Sequence, residues 1–572
     1  MKIYEEKSIS KFFAFLLLLF CFLLIYPIFQ IGERELRWDE GYYAAIANEM
    51  DILKPTTVAQ GEFILSYPLY PWLVAIIYKI PFSFLKFEIG LRLVSILSIA
   101  ALCFIIWATV KDALDEEVAF VAVASFMSFA LILEKGLDGY PQMLGYVFIF
   151  SAWALWFKYG AVKGNWNLAW ALSFLFAGLA FYTVGWIAIL FFGFPLIFMR
   201  RPLTIWSRIR KPGFFAGLGI IGIFVLIWIW PFIARQADMP FRELSLGVSE
   251  KSDYFKQIFA FPFELPLRML PWSLLAWPAF CPAYQPLEKN QVFARFMRII
   301  FFSLFFLLWF TPDLDWRNVT ILAAPLAVLT SINYKLLVRR HGHLILYICR
   351  FLFKGALAIG ISALFLHLLI FINQSLPFFH ISDFFIGQIG IYNLKQVLTG
   401  ITFQRINTYG IIEAVLIIII SCFMLTKNDK IFPVWSYVLI LMTSYVICYW
   451  ILIAPFQAYD QSSRELAKNI EAIIGKGSPE RQVTIYKSPE IKGLNAPFLY
   501  LEFNVKKLRK SFDEIPRSEG KVYVIGPSFP ASKDRTWKLL TSEALNYKKH
   551  ELYLWEGILT NKEIEEEKKN EQ

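Results

Sequence analysis

The chain has 572 residues, of which 57% are hydrophobic and 18% are charged, and its formal net charge is +11. A soluble protein typically has about a quarter charged residues, so this composition excludes an ordinary soluble enzyme and indicates a protein embedded in lipid. A basic balance also occurs in nucleic-acid-binding proteins. Here the cations fall mostly in short loops between apolar runs, where membrane topology and lipid contacts explain them better, so we expect no nucleic-acid partner.

The apolar residues form runs of about 17 to 25, the length that crosses a hydrocarbon core of about 30 Å as a helix. The first run ends without the small residues of a signal-peptide cleavage site, so we expect it to be retained as a span. We predict an all-α polytopic membrane domain of about thirteen helices. The predicted spans are 11–31, 90–110, 116–134, 140–157, 167–183, 185–199, 214–234, 269–285, 296–311, 318–334, 354–373, 409–425 and 433–454.

The cations of the loops predict which side of the membrane each loop faces. With a cytoplasmic N-terminus, the cation-rich stretches 200–211, 295–298 and 335–354 all lie inside, as the positive-inside rule requires. The C-terminal segment is then extracytoplasmic in a multi-pass inner-membrane protein. We therefore predict a transmembrane domain, an extracytoplasmic α/β domain and a charged, disordered tail. Their bounds are 1–456, with outer loops 32–89, 235–268 and 374–408, then 457–560 and 561–572.

Several shorter elements are predicted outside the spans. The apolar spacing of 41–53 and 70–82 favours amphipathic helices lying in the membrane interface. In the C-terminal segment, β-branched and aromatic runs alternate with helical patterns, which is typical of a small α/β domain. The predicted strands are 483–486, 498–501, 522–525 and 552–555, and the predicted helices are 461–476, 505–513 and 533–543.

Two adjacent carboxylates, Asp39 and Glu40, stand just outside the first span. In an extended segment their side chains point to opposite faces, so only one of them readily addresses a substrate. A solvated acidic loop is the simpler interpretation of such a pair. Its position between Trp38 and the pair Tyr42 and Tyr43 favours instead a site that faces lipid headgroups.

These residues carry a resemblance to a known family. Trp38-Asp39-Glu40-Gly41-Tyr42-Tyr43-Ala44, followed by Ala47-Asn48-Glu49-Met50, resembles the first outer loop of the GT-C membrane glycosyltransferases. The branch is that of the aminoarabinose transferases and the dolichyl-phosphate-mannose protein mannosyltransferases. Further similar stretches occur in the family's order: Tyr67-Pro68, Gly178-Leu179-Ala180-Phe181, Arg242-Glu243-Leu244 and Leu270-Pro271-Trp272-Ser273. Each motif alone is weak, but their order extends the resemblance over nearly the whole chain.

The resemblance implies a glycosyltransferase that modifies lipopolysaccharide or another cell-envelope glycan. Such enzymes move a sugar from a polyprenyl-phosphate donor to an acceptor hydroxyl on a lipid, glycan or protein, with inversion. By family position Asp39 is the general base, and Glu40 and Asp138 support it. The leaving group is already a phosphate, so cations that stabilise its charge matter more than an acid catalyst. The expected substrate-lining residues are Trp38, Tyr42, Tyr43, Tyr67 and Tyr140.

Four cations on the predicted outer side are candidates for binding the donor phosphate: Arg92, Lys135, Arg242 and Arg317. Three of these candidates also have a structural interpretation. Arg92 fits an interfacial anchor, Lys135 fits a lysine that snorkels from a helix end, and Arg317 fits an ion pair with neighbouring acids. Asp138, similarly, fits a helix cap before Pro141.

The sequence departs from the family pattern at Tyr67 and Val184, where the relatives commonly have lysines that are thought to meet the donor phosphate. Either Lys135, Arg92 or Arg242 substitutes for them, or the donor differs, or activity has been lost. No histidine or cysteine spacing predicts a metal site, so a divalent metal cofactor has no support from the sequence. The alternatives are a multi-pass transporter or flippase of a lipid-linked saccharide, and a catalytically degenerate GT-C-like assembly protein.

Overall fold

The computed structural model describes most of the chain. The described ranges are 9–27, 31–32, 34–37, 40–52, 58–59, 62–63, 66–79, 86–200, 203–234, 251–312, 314–375, 408–426, 432–453, 462–474, 484–488, 490–491, 496–501, 504–508, 512–516, 521–530, 535–541, 545–547 and 550–559.

The larger part of the chain is helical. Its helices are α1 Lys11–Ile25, α2 Glu40–Glu49, α3 Leu69–Lys79, α4 Phe87–Ala113, α5 Glu116–Ser128, α6 Ala130–Lys135, α7 Gln142–Leu155, α8 Trp166–Val184, α9 Trp186–Ile197, α10 Ile205–Ile209, α11 Pro212–Ala234, α12 Lys251–Arg268, α13 Trp272–Phe280, α14 Gln291–Trp309, α15 Trp316–Val319, α16 Ala323–Ile332, α17 Tyr334–Ser375, α18 Thr408–Thr426 and α19 Val434–Leu452. A π-helical stretch, Trp156–Val162, continues α7, and 3₁₀ turns lie at Pro282–Leu287 and Thr320–Leu322. A short hairpin joins β1 Val58–Ala59 to β2 Glu62–Phe63.

The C-terminal part contains α20 Ser462–Ile474, β3 Thr484–Lys487, α21 Ala496–Leu499, β4 Asn504–Lys507, a 3₁₀ turn Phe512–Glu514, β5 Lys521–Gly526, β6 Arg535–Leu539, β7 Leu545–Tyr547 and β8 His550–Leu559. The chain divides into two compact units. The first unit contains 1–31, 92–233 and 240–459, and the second contains 32–91, 234–239 and 460–572.

The first unit is built for a lipid environment. Among the described residues, six helices are long and apolar enough to cross a membrane: 87–113, 166–184, 212–230, 291–309, 334–368 and 434–452. Small residues let these helices pack closely. A side chain added at Gly178 would meet the ring of Phe224, and one at Gly217 would meet Phe174. The chain is an integral membrane protein.

Most of the thirteen predicted spans coincide with helices, but in the described part of the chain six helices are long and apolar enough to cross a membrane on their own. The predicted span 116–134 is broken at Phe129, where the backbone is extended and separates α5 from α6. The span predicted at 269–285 is the nine-residue helix α13 followed by a 3₁₀ turn that contains two prolines. Proline lacks the backbone N–H that a continuing helix needs, which explains the early end of α13.

The basic stretch predicted as an inner loop at 335–354 is instead helical. It forms, with the predicted span 354–373, the single 42-residue helix α17. Lysine, arginine and leucine all favour helix, and the stretch has no proline, so nothing in its sequence ends the helix at the membrane surface.

The second unit contains a mixed sheet with strand order β4-β3-β5-β8-β6, and β7 also pairs with β8. Strand β3 is parallel to β4 and β5, whereas β8 is antiparallel to β5 and β6. One face of the sheet buries Ile485, Ile525 and Leu554 against Leu466 and Ile470 of α20. The hydrophobic effect of this shared core joins α20 to the sheet. The interfacial helices predicted at 41–53 and 70–82 coincide with α2 and α3 of this unit.

Three local predictions in the C-terminal segment are wrong. The stretch 498–501 was expected to be a strand, but α21 ends at Leu499, because a short apolar run fits a buried helical turn equally well. Helices were expected at 505–513 and 533–543, but these stretches overlap the strands β4 and β6. Both are edge strands whose lysines suit an exposed sheet edge, so tertiary pairing overrides their helical pattern.

Candidate active site

Trp38, Asp39 and Arg242 lie outside the residues that the structure describes. The residues on either side of Asp39 are described. Arg37 N donates to Glu40 Oε2 at 2.8 Å, and Glu40 N donates to the carbonyl oxygen of Arg37 at 2.8 Å. These two hydrogen bonds join Arg37 to Glu40.

The carboxylate of Glu40 is fully buried. Its Oε1 lies 3.6 Å from Arg34 Nη2, and its other oxygen accepts the hydrogen bond from Arg37 N. The side chain therefore neutralises a cation and orders the backbone of its own loop. Its geometry suits a residue that supports the loop before α2.

Aromatic side chains lie on α2 and α3 and just before α3. The ring of Tyr43 lies edge-on to Tyr42 at 5.3 Å and to Tyr70 at 5.8 Å between centroids. The hydroxyl of Tyr70 donates to the carbonyl oxygen of Leu91 at 3.0 Å. Tyr67 is half-buried, just before α3. Three of the predicted substrate-lining residues thus lie on or beside this pair of helices in the second unit.

A buried polar network joins the loop before Asp39 to the C-terminal segment within the second unit. Glu35, only 4% exposed, accepts hydrogen bonds from the backbone N–H groups of Ser463 at 3.1 Å and Arg464 at 2.9 Å. It therefore sits at the start of α20, where free N–H groups favour a carboxylate. Burial raises the pKa of Glu35 even though these hydrogen bonds oppose the shift.

The second half of the network is centred on Glu88, which is 3% exposed. Its Oε1 accepts hydrogen bonds from Arg464 Nη2 and from the hydroxyl of Tyr500, the latter at 3.0 Å. The same hydroxyl accepts a hydrogen bond from Leu36 N at 3.2 Å. Burial on its own lowers the pKa of Arg464. The neighbouring Glu88 carboxylate has the larger opposite effect, so the pKa of Arg464 is raised. Burial also raises the pKa of Tyr500, so its hydroxyl is protonated and able to donate.

In the first unit, several predicted site residues line one small recess: Lys135, Asp138, Tyr140 and Arg317, together with Gln142 and Met143. The guanidinium of Arg317 lies over the ring of Tyr140, 3.8 Å from its centroid, and Arg317 Nε is 3.1 Å from Asp315 Oδ2. Asp138 precedes the start of α7 by four residues, so it is not in the capping position of that helix. The sequence did not predict Gln142, whose buried Oε1 has no hydrogen-bond partner among the described residues.

A second layer of charge lies beside this recess. Lys135 Nζ is 3.0 Å from Glu134 Oε1, and Arg268 Nη1 is 2.7 Å from Glu134 Oε2. Arg268 also lies over the ring of Trp316 at 4.2 Å. These contacts hold two cations near the recess through one shared acid.

The remaining predicted positions have clear local roles. Arg92 is 1% exposed and donates from Nη1 to the carbonyl oxygen of Ile31 at 2.6 Å, inside the first unit. The side chain of Val184 packs against Gly145, where an added Cβ would lie 2.8 Å from Val184 Cγ1. Val184 therefore serves helix packing between α7 and α8. Within the described part of the chain, no three histidine, cysteine, aspartate or glutamate side chains are grouped as metal ligands.

Comparisons with known proteins agree with this architecture. The family profile of the dolichyl-phosphate-mannose-protein mannosyltransferases matches residues 66–230. The fold is similar to that of ArnT from Cupriavidus metallidurans bound to undecaprenyl phosphate, with a TM-score of 0.65 and 12% identity over 96% of this chain and 98% of that one. The apo form of the same ArnT gives a TM-score of 0.64 at 12% identity and the same coverage. No curated protein sequence matches the chain.

The chain therefore has an ArnT-like fold, with a helical membrane part and a small C-terminal sheet. In the sequence of residues 66–230 it resembles the protein mannosyltransferases.

Proposed function

We propose that this protein transfers a glycosyl residue from a polyprenyl-phosphate-linked sugar to an acceptor hydroxyl on the outer face of the membrane, with inversion. The acceptor is a lipid, glycan or protein of the cell envelope. The profile match and the extent of the structural similarity support this class of reaction. The observation that carries the proposal is the recess in which Lys135, Asp138, Tyr140 and Arg317 come together.

In the proposed reaction, the carboxylate of Asp39 takes the proton of the acceptor hydroxyl as its oxygen attacks the anomeric carbon. The bond between that carbon and the phosphate oxygen breaks, and polyprenyl phosphate leaves with the electron pair. The products are the glycosylated acceptor and polyprenyl phosphate. Glu40 holds the backbone that precedes Asp39 through its contacts with Arg37 N and Arg34.

Lys135 and Arg317 are the proposed phosphate-binding residues, because both cations line the recess, and Asp138 is the one acid among its described lining residues. Hydrogen bonds from these cations to phosphate are charge-assisted and stabilise the charge that develops on the leaving group. The recess is closed in this structure, so its lining side chains have to move apart to admit a ligand, and we assign to it only the phosphate end of the donor. Gln142 Oε1 is then an acceptor for a hydroxyl or amine of the bound sugar.

The proposal is tested by steady-state transfer assays with a polyprenyl-phosphate sugar pool, comparing the wild-type protein with Asp39→Asn, Asp39→Ala and Arg317→Gln. We expect loss of a positioned base to reduce kcat about 10²- to 10⁴-fold. Loss of the Arg317 charge should lower kcat/KM for the donor by roughly 10- to 100-fold, since a charged hydrogen bond contributes about 1.5–3 kcal/mol. Arg210→Gln, an exposed arginine of the loop predicted inside, is the matched control and should transfer normally. Wild-type rates in both Asp39 variants would contradict the proposal.

A further inference from the structure

We propose that Tyr500 and Arg464, from the C-terminal segment, are positioning residues that hold the loop of Asp39 in the geometry needed for glycosyl transfer. This inference rests on the proposed function. It assigns to the C-terminal segment a direct role in the rate of the chemical step, through hydrogen bonds to the loop.

The contacts reach the backbone of the loop itself. Tyr500 Oη accepts the hydrogen bond of Leu36 N at 3.2 Å, three residues before Asp39. Glu35, the preceding residue, is held by the N–H groups of Ser463 and Arg464. Reciprocal hydrogen bonds join Arg37 to Glu40, which follows Asp39. The loop is therefore held at 35–37 and again at Glu40, on both sides of Asp39.

The hydroxyl of Tyr500 joins the loop directly to the buried acid Glu88. It accepts from Leu36 N and donates to Glu88 Oε1 at 3.0 Å. Removing it leaves the buried N–H of Leu36 without this acceptor, whereas Glu88 Oε1 keeps its hydrogen bond from Arg464. Leu36 N regains a partner only if the backbone at Leu36 moves, which shifts the loop.

The ring of Tyr500 has a separate structural role. The guanidinium of Arg464 lies 5.2 Å from its centroid, and the ring packs against the core of the C-terminal sheet. Phenylalanine keeps that packing and removes only the hydroxyl. Tyr500→Phe therefore separates the positioning role from the stability of the sheet.

A catalytic group displaced by about 1 Å loses rate by up to 10²-fold without a matching loss of substrate affinity. We therefore expect Tyr500→Phe to reduce kcat about tenfold or more while changing KM for the donor less than about twofold. Arg464→Lys keeps the positive charge beside Glu88 but loses the planar guanidinium group. It should reduce kcat by less than Tyr500→Phe does. Tyr553→Phe on β8 is the matched control, because the half-buried hydroxyl of Tyr553 makes no hydrogen bond to the described residues.

Amide hydrogen exchange on the full-length protein in detergent or nanodiscs supplies a readout that needs no activity. Peptides covering 34–37 should exchange about fivefold or more faster in Tyr500→Phe than in wild type, as expected for a lost hydrogen bond of about 1 kcal/mol, and should be unchanged in Tyr553→Phe. Peptides from β5 should keep wild-type protection in both variants.

The outcomes distinguish this inference from the proposed function. If wild-type protein transfers sugar and Tyr500→Phe and Arg464→Lys transfer at the same kcat, the positioning role is overturned and the transferase stands. Faster exchange at 34–37 with unchanged kcat also overturns it, since the contact is then structural only. If wild-type protein transfers no sugar, the proposed function fails, and with it the catalytic meaning of the contact.

Discussion

The side chain of Glu40 faces its own loop and not solvent. It is fully buried, with one oxygen on Arg37 N and the other 3.6 Å from Arg34 Nη2. The sequence placed it beside Asp39 as a second acid, and alternation along an extended segment already argued that the two do not act on one substrate atom. The contacts give a physical reason for that division: one carboxylate orders the loop, and the proposed base is left for the acceptor.

This division predicts different consequences for the two acids. Glu40→Gln keeps a carbonyl oxygen for Arg37 N and loses only the charge toward Arg34, so we expect transfer to fall about tenfold or less. Transfer by the Asp39→Asn protein should fall about 10²- to 10⁴-fold in the same assay. Glu49→Gln, an exposed acid at the end of α2, is the control for removing a negative charge nearby. Equal losses in Glu40→Gln and Asp39→Asn would mean that Glu40 itself meets the substrate.

Helix α8 ends and α9 begins at a single residue, Gly185. Its backbone has φ 80° and ψ −153°, a conformation that is essentially restricted to glycine, and its N–H donates to the carbonyl oxygen of Phe181 at 2.9 Å. A sharp reversal between two apolar helices therefore depends on one residue without a side chain. The family pattern had drawn attention to its neighbour Val184, which proves to pack against Gly145.

Gly185→Ala should destabilise the protein by about 1–3 kcal/mol, the usual cost of forcing a side chain into such a conformation. The matched control is Gly193→Ala within α9, where nothing lies within 4 Å of an added Cβ. It should leave stability unchanged or raise it by about 0.5–1 kcal/mol. Denaturant unfolding of both variants in the same detergent measures the difference. A Gly185→Ala protein as stable as Gly193→Ala would show that the turn tolerates a side chain.

Elements with a strong local signal were predictable, and those decided by distant partners were not. Long apolar runs such as α4 and α19 follow from hydropathy alone. The edge strand β4 has a helical pattern and becomes a strand only because β3 lies beside it. The contact of Glu35 with Arg464 joins residues 429 apart in sequence, so no local pattern marks either one as part of a site.

At the scale of the whole molecule, the segments 32–91 and 460–572 form one compact unit, although they are separated in sequence by most of the membrane helices. The sequence suggested an outer loop and an independent C-terminal domain. The buried hydrogen bonds of Glu35 and Glu88 to α20 and Tyr500 join them. We expect both segments to lie on the same, extracytoplasmic side of the membrane.

Labelling of single cysteines in whole cells tests that sidedness. Glu551→Cys, an exposed position on β8, should react with a membrane-impermeant maleimide added outside once the outer barrier is opened. Arg210→Cys, exposed in the loop predicted inside, should react only after the cells are lysed. Both variants are made in a background in which the six native cysteines are replaced. The reverse pattern would place the proposed catalytic loop on the cytoplasmic side.

The most direct test of the central claim is the stoichiometry of donor cleavage by the purified protein in liposomes. With a radiolabelled polyprenyl-phosphate sugar and an acceptor extract, we predict one polyprenyl phosphate released for each sugar that appears on the acceptor, with the opposite anomeric configuration. Asp39→Asn should show neither product. Movement of intact donor across the bilayer without cleavage would contradict the account and identify a transporter.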